Sequence, residues 1–213
     1  VVKYRGKRKE FRIYVEGGGS SSDTRAAFRR GWSAFLQDLV DEARKRSIKW
    51  QVIACGGRGD AFNNFCKALR THPDAFNVLL IDSEGSVGES DTSPWDYLQQ
   101  HDRWKRPSDT TDDQCFLMVQ SMEAWIIADR EALADYYGQG FNPGSLPGGN
   151  VEHVEPQRLV DALNQAVRET SKRTYRKMPH GPDLLARVQI AAVRTAASHC
   201  ERLLSMLLRK MGE

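Results

Sequence analysis

Glu16, Asp82, Glu84 and Glu123 are the acids whose settings suit chemistry on a phosphate. Glu16 closes the run Phe11-Arg12-Ile13-Tyr14-Val15 and is followed by Gly17-Gly18-Gly19. Asp82 and Glu84 follow Val78-Leu79-Leu80-Ile81 and precede Gly85. Asp-x-Glu on a turn can aim two carboxylates at one small volume, and hard cations such as Mg²⁺ take oxygen ligands. A glutamate on a glycine-rich turn nearby adds a third ligand or a general acid/base. Singly, each acid also reads as a helix cap or a solvated group; all three with glycines close behind them is the stronger pattern. Glu123 lies among Met122, Ala124, Trp125, Ile126 and Ile127. Burying an unpaired carboxylate costs several kcal/mol, so a partner is implied, either a metal or an arginine such as Arg58.

Two further groups are cationic or anion-seeking. Gly56-Gly57-Arg58-Gly59 follows a second strand-like run, Trp50 to Ala54. Its N–H groups can cradle a phosphate that Arg58 clamps bidentately; the plain alternative is a tight turn into a helix. The lysine and hydroxyl of an ATP-binding P-loop are missing. Lys177 and His180, with the basic run Lys172-Arg173-Thr174-Tyr175-Arg176, bring cations to a scissile phosphate or form a solvated loop. Arg25 and Arg29 are further cations on the first helix.

These residues need a frame, and the hydrophobic pattern supplies one. The runs 11–15, 50–54 and 78–81 read as strands, the last apolar throughout, as in a sheet covered on both faces. Between them, Phe28, Trp32, Phe35, Leu36, Leu39, Val40 and Ala43 fall on one stripe of a helix capped by Ser22 or Asp23, and Phe62, Phe65, Cys66 and Leu69 mark a second helix. This βαβ rhythm predicts an α/β fold with a mainly parallel sheet. Cys115 to Val119 reads as a fourth strand entering a helix over 122–127. Residues 86–113 are polar and Asp-rich, with one short helix around Trp95–Gln100, and 138–150 form a loop. Helices are expected over Pro156–Glu169 and, unbroken, from Asp183 to about Lys210. In the latter, Leu184, Leu185, Val188, Ala192, Ala196, Leu203, Leu204 and Leu207 give a broad apolar face, read as scaffold. The chain is thus expected to be a single domain, 1–213, with a core over about 9–130 and a helical C-terminal extension over about 131–213. In open parallel sheets ligands sit beyond the carboxyl ends of the strands, where the acids fall.

Composition narrows the classes. No apolar run is long enough to span a membrane. The basic start, Val1 to Lys9, has no apolar segment of a secretory signal behind it. Cys55, Cys66, Cys115 and Cys200 are scattered, which suits reduced thiols and a cytoplasmic setting. The net charge of +3 hides an asymmetry. Residues 1–50 carry thirteen Lys/Arg against six Asp/Glu, residues 74–113 three against ten, and residues 168–213 ten against four. Basic ends about an acidic middle put a phosphate-attracting surface beside a cation-holding cluster, or are an ordinary mosaic of solvated faces.

Tyr14-Val15-Glu16-Gly17 together with Leu80-Ile81-Asp82-Ser83-Glu84 resembles the TOPRIM fold of topoisomerases, primases and OLD-type nucleases. With Cys55-Gly56-Gly57-Arg58-Gly59 and Met122-Glu123-Ala124-Trp125-Ile126-Ile127-Ala128-Asp129, the pattern is similar to a small prokaryotic TOPRIM-like family of unknown function, often encoded beside an ATPase in genome-defence neighbourhoods. The resemblance covers roughly residues 11–130, with a looser echo at Tyr175-Arg176-Lys177, His180 and His199–Leu204. It implies a Rossmann-like sheet and Mg²⁺, or Mn²⁺, held by Glu16, Asp82 and Glu84, with Glu123 as an additional acid. Glu84 departs from it, since an aspartate usually stands there. The activity implied is a Mg²⁺-dependent nuclease on DNA or RNA, the effector of an anti-phage defence system with an ATPase partner. In that reading Lys177 and His180 join the acids in catalysis, and Gly56, Gly57, Arg58 and Gly59 bind phosphate. The alternatives are a non-catalytic TOPRIM-fold module that binds nucleic acid or an ATPase, and a small-molecule phosphoesterase or nucleotide-processing enzyme.

Overall fold

The computed structural model describes residues 9–88 and 93–213. The basic run Val1 to Arg8, and residues 89–92 of the Asp-rich stretch, lie outside the described residues. Four strands, β1 (Glu10–Val15), β2 (Lys49–Ala54), β3 (Phe76–Asp82) and β4 (Cys115–Met118), form one parallel sheet in the order β2-β1-β3-β4. Val15 is in register with Ala54 and with Leu80, so Glu16 and Asp82 leave adjacent strands at one edge. The chain runs outward from β1 to β2 and then returns across β1 to β3. The strand order therefore reverses between β1 and β3, the place where such sheets open a crevice.

Alternation sorts the side chains to two faces. Ile13, Val15, Val78, Leu80, Phe116 and Met118 join one core, and Tyr14, Leu79, Ile81, Cys115 and Leu117 join the other. The second core is closed by α3 (Arg58–Thr71) and α4 (Pro94–His101). The first is closed by α1 (Ser22–Phe35) and α2 (Gln37–Lys45) and by the C-terminal helices: α5 (Met122–Ile127), α6 (Arg130–Tyr137), α7 (Pro156–Val167), α8 (Lys177–Leu185), α9 (Ile190–Ala196) and α10 (Ser198–Gly212). The C-terminal portion thus packs into the same core as the strands.

Three expectations change. The first helix is divided at Leu36, which leaves helical geometry (φ −93°, ψ 20°) while its N–H still reaches Trp32 O, and the cap is Ser21, whose Oγ accepts from Thr24 N at 3.1 Å. The long C-terminal helix is three helices, because buried acids from distant parts of the chain cap its interior. Asp129 Oδ2 accepts from Gln189 N at 2.8 Å, starting α9. Glu152 accepts from Ser198 N at 3.2 Å and His199 N at 3.0 Å, starting α10. Each carboxylate meets N–H groups that a helix start leaves unsatisfied. The apolar stripe is nonetheless largely core: Leu184, Leu185, Val188, Leu203, Leu204 and Leu207 are buried, and Ala192 and Ala196 are half-buried. Among the described residues no helix is long and apolar enough to cross a membrane.

Candidate functional site

β1 and β3 bring Glu16 and Asp82 together. The Asp82 N–H donates to Glu16 Oε2 at 3.3 Å, and Glu16 N donates to Leu80 O at 3.0 Å, holding the β1 exit against β3. Asp82 is 7% exposed. Its Oδ1 accepts from the N–H of Met122, the first residue of α5, at 2.8 Å. Its Oδ2 accepts from Lys177 Nζ at 3.3 Å. Burial, then repulsion from Asp82, and to a smaller degree from Glu84, push the Glu16 carboxyl up to about 7 against the pull of Arg58. Burial likewise pushes Asp82 up to about 6, with Lys177 opposing and Glu123 adding to the shift.

Glu123 is 2% exposed, as its apolar neighbours require. Its partners are neither Arg58 nor another acid. The Tyr175 hydroxyl donates to Oε1 at 2.9 Å, and Lys177 Nζ lies 3.5 Å from Oε2. Burial, and then the neighbouring carboxylate, hold the Tyr175 hydroxyl far above the usual phenol value. Lys177 therefore bridges Asp82 and Glu123. Its side chain is 55% exposed. Burial of its ammonium works to lower its pKa, but Asp82 and Glu123 outweigh this and raise it well above the ordinary lysine value.

Two cavities meet at this bridge. One, of about 290 Å³, is lined by Glu16, the backbone of Gly17–Gly19 and Gly56, Phe28, Asp82, Met122, Lys177 and Met178. The other, of about 360 Å³, is lined by Asp82, Glu84, Ser121, Glu123, Tyr175 and Lys177, with Pro156 and Val160 adding apolar surface. Glu84 is exposed and sits in the left-handed region (φ 60°). Gly17 has φ 119°, and a Cβ there would lie 2.6 Å from Phe28 Cζ, so a side chain is excluded by both conformation and space.

The glycine loop and Arg58 are engaged by the protein itself. Gly17 and Gly56 exchange N–H···O bonds of 2.7 and 2.8 Å, which lock the two loops together. Gly57 is the cap of α3, and Gly59 lies in its first turn with open space beside it. Arg58 donates to both oxygens of Asp102 at 2.7 Å, to the Asp82 carbonyl, and lies 3.5 Å from Glu16 and over the Trp104 ring. A guanidinium held this fully ties α4, β3 and β1 together. Arg25 is tied to Gly19 O at 3.2 Å and Arg29 is exposed. His180 lines neither cavity. It is buried among the Tyr136, Tyr137 and Tyr175 rings, its Nδ1 accepts from Arg176 N at 3.3 Å, and burial, then Arg176 and Lys172, lower its pKa.

Sequence reasoning missed Tyr175 and Asp102 as partners of Glu123 and Arg58. Their separations, 52 and 44 residues, carry no local signal. Residues 15–208 match a domain of unknown function, DUF4276. The chain belongs to that family. No curated protein and no solved structure matches it. In this DUF4276 member, among the described residues, no three His, Cys, Asp or Glu side chains are grouped as a ready metal-ligand set. Glu16, Asp82 and Glu84 still fit a hard cation by donor type, since they offer only oxygens. The raised values of Glu16 and Asp82 come first from burial, which Arg58 and Lys177 do not fully offset.

Proposed function

We propose that this chain is a Mg²⁺-dependent, TOPRIM-like phosphodiesterase acting on nucleic acid. The observation that carries the reading is the pairing of Glu16 and Asp82, desolvated and repelling, at the point where the strand order reverses. Glu16, Asp82 and Glu84 would hold Mg²⁺ or Mn²⁺, which when bound polarises a phosphodiester and makes a water more acidic. The Met122 N–H orients Asp82 through Oδ1. Glu123 and Tyr175 are positioning residues, because they hold the Lys177 ammonium beside Asp82, where it can meet a phosphate oxygen. His180 and Arg58 act through packing and ion pairing and leave the chemistry to the acids and Lys177. The family resemblance supplies the rest of the reading: a cytoplasmic effector of anti-phage defence, working with an ATPase partner.

A second reading, a small-molecule phosphoesterase, is favoured by the modest size of the two cavities. The test is release of product from single- and double-stranded DNA and RNA, and from nucleotides, with Mg²⁺, with Mn²⁺ and with chelator. Metal-dependent cleavage that falls at least a hundredfold in Asp82→Asn supports the reading. Turnover that survives chelation or Asp82→Asn refutes it, and binding without turnover assigns a non-catalytic module.

A further inference from the structure

The two cavities share Asp82 and Lys177 and differ in the residues around that pair. The smaller one is lined by Phe28, Met122 and Met178 and by glycine backbone that carries no side chains. Thioethers beside an aromatic ring make a polarisable slot that favours a planar ring. Glu16 and Asp82 at its end accept hydrogen bonds, and Lys177 donates them. The larger cavity is lined by Ser121, Gln120, Gln157, Tyr175 and the remaining acids. Ser121 is 5% exposed, and its Oγ has no hydrogen-bond partner, although it stands at the cap of α5. A buried hydroxyl without a partner is costly, and ligand contact is one way to satisfy it. Both volumes lie at the lower end of small-molecule pockets, roughly 300 Å³ and upward, so each suits one small group.

We propose that the two cavities together hold one nucleotide unit, its base in the slot between Phe28, Met122 and Met178 and its phosphate in the larger cavity beside Ser121 and Lys177. A base supplies the planar ring. A phosphate supplies acceptors for the Ser121 hydroxyl and the Lys177 ammonium. The inference rests on the reading of Glu16 and Asp82 as a phosphodiester site. It adds that a single unstacked nucleotide is what the site receives, so duplex must yield a base from its stack before it fits.

The experiment separates the two claims because it needs no turnover. The full chain, with its five methionines ¹³C-methyl labelled, is titrated in Mg²⁺ with AMP or CMP and, separately, with ribose 5-phosphate. Both nucleotides should shift the Met122 and Met178 methyls and leave Met206 and Met211 in place. They should also bind at least tenfold more tightly than ribose 5-phosphate. Ser121→Ala should weaken nucleotide and sugar phosphate alike, by about three- to tenfold. Met178→Trp, which fills the slot, should remove only the advantage of the nucleotide. Equal affinity for nucleotide and ribose 5-phosphate, or shifts confined to Met206 and Met211, would overturn the proposal. That comparison uses wild-type protein and stands even if a variant fails to fold. Cleavage without base-dependent binding removes the slot and leaves the phosphodiesterase. Base-dependent binding without cleavage keeps the slot and removes the phosphodiesterase.

Discussion

Gly31, in the middle of α1, is where α8 comes closest, and replacing it by alanine tests how Lys177 is held. A Cβ at position 31 would lie 2.6 Å from the Pro182 carbonyl oxygen, 3.1 Å from its Cα and 3.2 Å from its carbonyl carbon. Those atoms are backbone, so no rotamer change relieves the clash and α8 must move by roughly 0.8 Å to restore ordinary contact. Lys177 begins α8, with its Nζ 3.3 Å from Asp82 and 3.5 Å from Glu123. A shift of that size, if it passes the extended Met178 (φ −119°, ψ 126°) undiminished, carries both pairs to about 4 Å, where an ion pair is no longer close. Two energies compete in stability. Alanine gains about 1 kcal/mol in helix propensity over glycine. Overpacking costs about 1–3 kcal/mol. The balance is a net loss of about 0–2 kcal/mol, or up to roughly 8 °C in Tm for a chain of this size. Function should suffer more, because misplacing a group by about 1 Å can cost on the order of a hundredfold in rate. The assays are thermal melting, the Met178 methyl shift as a gauge of α8, and metal-dependent cleavage. A variant that melts above wild type, keeps its Met178 shift and cleaves at the wild-type rate would refute the reasoning.

The Glu16 carboxyl, raised from an ordinary 4.5 to about 7, makes stability depend on pH. Between those values the folded chain binds more protons than the unfolded one, so this contribution is fully present below about pH 4.5 and is lost as pH rises through 7. Denaturant unfolding should show roughly 3 kcal/mol of decline from this group, and Glu16→Gln should flatten it; an unchanged slope in the variant would assign the decline elsewhere. Arg58→Ala should destabilise the fold by about 3 kcal/mol, because Asp102 loses both bonds of a mostly buried pair. A melting temperature equal to wild type with only activity lost would restore Arg58 to a role on substrate.

What the chain's own order of residues determined is the frame of the site. The strands at 10–15, 49–54, 76–82 and 115–118 and the helices between them follow from apolar periodicity, a local property that one turn or one pleat is enough to express. Carboxylates that follow strands in such a sheet must emerge at one edge, so Glu16 and Asp82 were legible as neighbours before any coordinates, while Glu84 lines the second cavity, which Glu16 does not. The partners were not. Local sequence places Glu123 in an apolar helix and demands a counter-group, but Lys177 and Tyr175, more than 50 residues on, are brought to it by the packing of the C-terminal portion. Arg58 follows a strand and glycines like a phosphate clamp, yet Asp102, 44 residues on, folds back to occupy it. The same holds for the helix that continues on paper from Asp183 to Lys210. Asp129 and Glu152 cap its interior from 60 and 46 residues away, and a buried carboxylate that satisfies free N–H groups outweighs the weak preference of the intervening residues to remain helical. Periodicity is written along the chain, whereas the choice of partner for a charge is made by whatever the tertiary fold brings within about 3 Å, and that decided which of these residues line the two cavities and which face each other.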